Sequence, residues 1–297
     1  MRAYPVTPLT FGESLRVEFA CLAEFTQFIR RHRRYFTIFL LLYWHSLFAW
    51  RARRGMRVAF CLAQRMDDIL DGDRAAPEPP LVAAARLRAQ LCTGHFHRDA
   101  EGLLARAVAW ELDTRADGSE SPLENFIALI DAMCRDRERI DARRMLDRAA
   151  LDAHLADTFT RSLDLQLLLA GSRMRSRDVA PVIACFSRCS ALRDLEEDLA
   201  HGLVNVPRDV LAACGIQELP GHVRQLRLQP AFHDWIRQAT KQSLIALDDT
   251  DTLIKHWPDS NDPGVRVLRI FTRSMRDFFT RRARRLYPEA FETTIAS

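Results

Sequence analysis

Between short polar breaks, apolar residues in this chain recur at intervals of three and four, and no run alternates apolar with polar at period two. That spacing belongs to helices with one buried stripe and leaves no candidate strand. The breaks are DRAAPEPP (73–80), DTRADGSESP (113–122), GIQELPG (215–221) and WPDSNDPG (257–264). Their prolines and glycines stop helices. The pattern predicts helices over 12–31, 35–50, 55–71, 80–93, 99–112, 122–139, 143–171, 177–200, 231–256 and 263–286. Ser121-Pro122-Leu123-Glu124 supplies an N-cap, a first-turn proline and the glutamate of a capping box. With only 11 Gly and 13 Pro in 297 residues and an apolar fraction of 48%, the chain can bury a full core. The expectation is one all-α domain, a helical bundle over 1–297.

Composition excludes several functions. The net charge is +4, and the only lysines are Lys241 and Lys255, so the positive charge is almost all arginine. Arginine suits forked contacts to phosphate oxygens. The arginine runs at 51–54 and 281–285 lack the aromatic spacing or motif of a nucleic-acid binder and read as solvated helix ends, so no nucleic-acid partner is expected. The seven cysteines are scattered, with no Cys-x-x-Cys pair, as in a reducing, cytoplasmic setting. His95-Phe96-His97 has the wrong spacing for two metal ligands on one helix face. The apolar run 35–50, YFTIFLLLYWHSLFAW, has 16 residues between RRHRR and RARR. A membrane span needs about 20, so a buried helix is expected, with peripheral membrane contact by its arginine-flanked face as the alternative.

Two stretches interrupt this apolar text with carboxylates. MDDILDG (66–72) puts Asp67 and Asp71 one helical turn apart, with Asp68 three residues before Asp71. LRDLEEDLAHG (192–202) repeats the spacing with Asp194 and Asp198, and adds Glu197 and Arg193. Like charges at i, i+4 destabilise a helix, so a solvated structural face would mix in cations. The preceding turns, Val58–Ala63 and Val182–Phe186, are apolar. Carboxylates in such surroundings must protonate or meet a cation. Oxygen-only ligands suit Mg²⁺, which completes its shell with water and substrate phosphate. The two stretches are therefore expected to form opposite walls of a Mg²⁺–diphosphate site.

The chain resembles the squalene/phytoene synthase family at these places. DDILD (67–71) is similar to that family's first aspartate-rich motif. RDLEED (193–198), followed by HGLVNVPRDVL (201–211), is similar to its second, and FIALIDAMCRDRER (126–139) to the helix carrying its central Met-x-x-Asp. The likeness spans about 35–285. It implies an all-α isoprenoid-synthase fold with a central cavity, in which Mg²⁺ holds the diphosphate of an allylic donor. Ionisation then gives a cation that an electron-rich carbon attacks. The resemblance implies Asp67, Asp71, Asp194 and Asp198 as metal ligands. Asp68 is implied as a further ligand or support, Glu197 as a support, and Arg193 as a diphosphate or carboxylate partner. Gln64, Arg65 and Ser190 fall beside the diphosphate, and Phe60, Asp136 and Phe159 line the substrate pocket.

Departures from the family pattern narrow the expectation. Leu40–Leu42 stand where the family has a Ser-Phe-Tyr-like stretch, Gln64 stands for an arginine with Arg65 adjacent, and Phe60 for a tyrosine. Ser187 and Ser190 stand for a Gln-x-x-Asn pair, Leu203-Val204-Asn205 for Arg-x-Tyr, and Thr158-Phe159-Thr160 for a run of small residues. Cations and hydroxyls that would hold a second diphosphate are missing while the carboxylates stay. The pattern resembles family branches that prenylate aromatic rings in natural-product pathways. Phe159 would shorten the cavity, which favours dimethylallyl or geranyl diphosphate, with farnesyl diphosphate also admissible. The alternative is a head-to-head phytoene, dehydrosqualene or squalene synthase, whose acceptor is a second prenyl diphosphate.

Overall fold

The computed structural model describes residues 7–31, 54–115, 121–218 and 223–291. The helix predicted over 35–50 and the Leu40–Leu42 departure lie outside these residues. Ten longer and shorter helices carry most of the described chain: α1 Phe11–Arg31, α2 Arg54–Asp71, α3 Pro80–Thr93, α4 Ala100–Asp113, α5 Pro122–Asp141, α6 Arg148–Leu169, α7 Pro181–Ala200, α8 Arg208–Ala213, α9 Val223–Arg227 and α10 Pro230–Lys255. They are followed by α11 Pro263–Asp277, a π-helical turn Phe278–Arg282 and α12 Ala283–Leu286. No strand occurs among the described residues, as the period of three and four predicts.

Helix boundaries follow local chemistry. Proline opens α3, α5, α7, α10 and α11, where its missing N–H removes no helical bond. The Glu124 amide donates to the Ser121 hydroxyl at 3.3 Å, so the predicted N-cap is in place. Asp99 caps α4 by accepting from the Gly102 amide at 2.8 Å. Two predicted helices are corrected. The one expected over 143–171 begins only at Arg148, because α5 ends in a tight turn with Arg143 at φ 49° and the Arg144 amide bonded back to the Arg139 carbonyl. Asp147 then caps α6 through the Ala150 amide at 2.8 Å. The one expected over 263–286 is widened at Phe278–Arg282, where the buried rings of Phe278 and Phe279 meet edge-on at 5.1 Å.

The described chain divides into two compact units, each with its own core. The first runs to Arg137 and includes Leu168–Ala170. In it α2 packs on α4, and α1 packs on both. Val17, Cys21 and Phe25 of α1 are buried, as are Val58, Leu62 and Met66 of α2 and Leu104, Val108 and Leu112 of α4. Ion pairs stitch these helices: Arg57 to Glu18 at 2.8 Å, Arg54 to Glu111 at 2.6 Å and Arg86 to Glu101 at 2.5 Å.

The second unit holds Glu138–Leu167 and the described chain from Gly171 onward. Its centre is α10, which packs along α7 on one side and α11 on another. Leu192, Leu195 and Leu199 of α7 are buried, as are Phe232, Ile236 and Leu247 of α10 and Leu268 of α11. The start of α11 is tied to the chain after α6 by one buried side chain. Asp262 accepts from the Ser172 hydroxyl at 2.5 Å, the Arg173 amide at 3.0 Å and the Gly264 amide at 2.7 Å. Burial opposes the Asp262 charge, but these hydrogen bonds outweigh it and hold its pKa below the usual carboxylate range. Asp262→Ala is expected to lower stability by about 2 kcal/mol at neutral pH, from the lost cap and the donors left without it. A depressed pKa contributes stability above the unfolded value near about 4 and loses it as pH falls through the folded one. Urea midpoints of the two proteins should therefore converge in acid.

No disulfide joins the seven cysteines. No helix among the described residues is long and apolar enough to cross a membrane.

Candidate active site

The first carboxylate cluster is the last turn of α2. Met66, Ile69 and Leu70 turn into the core, which leaves Asp67 and Asp71 half-buried on another side of the helix. Gly72, at φ 89°, ends the helix directly after Asp71. Asp68 is buried and forms an ion pair with Arg31, the last residue of α1. The Gln64 amide donates to Asp67 at 3.2 Å and to Asp68 at 3.0 Å. Burial pushes the Asp67 carboxyl well above the usual range; Asp71, Asp68 and Asp136 push the same way, and the Gln64 amide opposes them. Asp136, on α5, is thus an electrostatic member of this cluster. The Arg137 guanidinium donates to the Leu70 carbonyl at 3.3 Å, at the same helix end.

Beside these carboxylates lies a small hollow between α1 and α2. Its apolar side is Phe25, Phe28 and Phe60, and its polar side includes Gln64 and Asp68. The Phe60 ring sits 5.8 Å from Phe25 and 5.9 Å, edge-on, from Phe28. Arg65 lines the same hollow but is engaged by Glu24 at 2.7 Å and by Glu101 at 3.4 Å. Glu24 also holds Arg74 at 2.5 Å.

The second cluster lies within the second unit, on the last two turns of α7. With Leu192, Leu195 and Leu199 buried, Asp194, Glu197 and Asp198 are half-exposed. Arg193 grips its neighbour Asp194 with two nitrogens, at 3.0 and 2.6 Å, and the Ser190 hydroxyl donates to the same carboxylate at 3.2 Å. The Asn205 amide donates to Asp198 at 2.9 Å. The chain reverses after α7 at Gly202, φ 84°, and the Leu203 amide returns to the Asp198 carbonyl. Earlier on the same helix the Leu192 carbonyl accepts from the Tyr287 hydroxyl at 2.6 Å, and Arg227 lies over the Tyr287 ring at 5.7 Å. The Glu197 carbonyl accepts from the His201 amide at 3.2 Å.

Other predicted residues take different places. The Ser187 hydroxyl is buried and donates to the Ile183 carbonyl of its own helix. Phe159 on α6 meets Phe186, tilted, at 4.5 Å, and Phe186 meets Phe271 at 5.7 Å, which builds an aromatic wall within the second unit. Sequence reasoning missed Arg31, Arg137, Arg139 and Tyr287; Arg137 and Arg139 stand in the 126–139 stretch, but its spacing names no partner for either.

Among the described residues no three acidic, histidine or cysteine side chains converge as a closed metal site. Mg²⁺ takes one or two carboxylates and fills its shell with water and substrate phosphate. Asp67 and Asp71 fit that demand as hard oxygen donors one turn apart, and the Asp67 charge is disfavoured by burial and by its neighbouring carboxylates. Asp198, with one oxygen held by a neutral amide, fits it too. Asp68 and Asp194 already carry an arginine each.

The fold is that of a solved squalene synthase. The chain aligns with squalene synthase HpnC from Alicyclobacillus acidocaldarius at a TM-score of 0.66 and 19% identity, over 94% of this chain and 97% of that one. No family model matches the sequence, and no curated protein matches it. The expected all-α isoprenoid-synthase fold is thus the one observed.

Proposed function

We propose that this protein is a Mg²⁺-dependent prenyltransferase that ionises an allylic prenyl diphosphate and passes the prenyl group to an aromatic acceptor. The reading rests on two carboxylate clusters at i, i+4 spacing, at the ends of α2 and α7, in a fold shared with a squalene synthase. Bound Mg²⁺ would supply the positive charge that draws off the leaving diphosphate. In the first unit Asp67 and Asp71, supported by Asp68, would hold that charge; in the second Asp194 and Asp198 would, with Arg193 gripping Asp194. The carbon–oxygen bond of the donor breaks, and its electron pair leaves with the diphosphate. Phenylalanine faces shelter the allylic cation and exclude water. A ring carbon of the acceptor then bonds to the cation, and its proton passes to the released diphosphate or to Asp136.

The aromatic acceptor is favoured by how the departing residues are engaged. Gln64 serves Asp67 and Asp68, Arg65 serves Glu24 and Glu101, Ser187 bonds its own helix, and Asn205 serves Asp198. These side chains already have partners, which leaves them poorly suited to a second diphosphate. The short donors dimethylallyl and geranyl diphosphate suit the Phe159–Phe186 wall better than longer ones. The likeness to a squalene synthase favours the second reading, head-to-head condensation of two prenyl diphosphates.

A product assay separates them. With Mg²⁺ and a prenyl diphosphate alone, the expected product is the prenyl alcohol, formed slowly, since water is the only nucleophile present. An electron-rich, flat aromatic should divert the cation into a C-prenylated product. Efficient conversion of farnesyl or geranylgeranyl diphosphate alone into a coupled hydrocarbon would establish the second reading and overturn the first.

A further inference from the structure

Arg139 is 2% exposed and lies at the end of α5, within the second unit. One guanidinium nitrogen donates to the Val204 carbonyl at 2.7 Å and to the Asn205 side-chain oxygen at 3.2 Å. Asn205 is 7% exposed, and its amide nitrogen donates to Asp198 at 2.9 Å. The direction of this chain is set by chemistry. A guanidinium has donors only, so the amide oxygen must turn to Arg139 and the amide NH₂ to Asp198. The reversed amide would set donor against donor at one end and oxygen against carboxylate at the other.

We infer that Asn205, locked in one orientation by Arg139, is a positioning residue that aims Asp198 for its cation. This deepens the proposed function and rests on it. The buried guanidinium fixes Asn205, and Asn205 holds one Asp198 oxygen through a neutral donor. That restricts the carboxylate rotamer without cancelling the charge a metal needs. The Leu203 amide, bonded to the Asp198 carbonyl at 2.8 Å, pins the backbone of the same residue to the same loop. Partners that orient a ligand in this way are worth about 10- to 100-fold in metal affinity.

The test is calorimetric titration of the full chain with Mg²⁺ in the presence of inorganic diphosphate, without turnover, beside a thermal melt of each variant. Asn205→Leu keeps the volume and removes both polar ends. Asn205→Ser keeps a hydroxyl for Arg139 but is too short to span to Asp198, and so protects the fold better. Both are expected to weaken Mg²⁺–diphosphate binding by about 10-fold or more. Asn205→Ser should melt close to the unmodified protein, and Asp198→Asn should show the full loss. Unchanged affinity in folded Asn205→Ser, with Asp198→Asn impaired, would overturn the positioning role and leave the proposed function standing. Absence of binding by the unmodified protein would overturn both.

Discussion

Asp67→Asn and Asp194→Asn are each expected to lower turnover by at least about 100-fold, because on the proposed mechanism each removes a carboxylate that holds the cation drawing off the diphosphate. The fold should survive both changes. Asp67 has Asp71, Asp68 and Asp136 as repelling neighbours, and its carboxyl is pushed upward by burial first and by those charges next. A carboxyl with a raised folded pKa weakens the fold as pH climbs above its unfolded range, so an uncharged amide relieves that at neutral pH. Metal-stripped Asp67→Asn should therefore melt no lower than the unmodified protein, while its activity is lost. Asp194 is held by Arg193 and Ser190, and its asparagine variant loses an ion pair that is only partly buried. A small drop in melting temperature is expected there, with the same loss of turnover. Near-normal turnover of both variants, or full activity in EDTA, would remove the metal from the reaction.

The largest effect on stability is expected in the first unit, at Glu18. Arg57 is wholly buried in α2 and is gripped by both Glu18 oxygens, at 2.8 and 3.2 Å. Removing one partner of a buried ion pair costs about 3–5 kcal/mol. Glu18→Ala should lower the unfolding free energy by about that amount, measured as a shifted urea midpoint. Glu18→Gln should recover part of it by keeping one acceptor. The exposed pair Arg148–Asp209 gives the contrast, since both side chains are about half in water. Asp209→Ala should stay within about 1 kcal/mol. If Glu18→Ala were equally mild, Arg57 would be kept by its other surroundings and not by Glu18.

Helix periodicity is a local property, and the parts of the fold that depend on it were legible in the sequence. Residues three and four apart share a face, so α1, α2, α3, α7 and α10 emerge from the apolar spacing close to their observed ends. Pro80, Pro122 and Pro263 marked starts because proline's missing N–H is harmless only there. The i, i+4 pairs Asp67–Asp71 and Asp194–Asp198 were legible for the same reason, since neighbours on one helix face need no tertiary structure to be neighbours.

What the spacing could not show are partners far apart in the chain. Arg31 meets Asp68 from 37 residues away, and Arg139 reaches Asn205 from 66. Nothing local marks either arginine among so many others. Asn205 read as a lost family residue; packing turned it into a support for Asp198. The turn after α5 was misread because residues 143–147 keep helical spacing, while backbone bonds from Ala142, Arg143 and Arg144 close the helix before them. The π-helical turn at Phe278–Arg282 likewise interrupts an apolar stripe that continues in the sequence. That Asp68 is given an arginine from α1 was decided by the fold alone. Burial and opposite charge act through distance in space, and helix spacing carries no record of it.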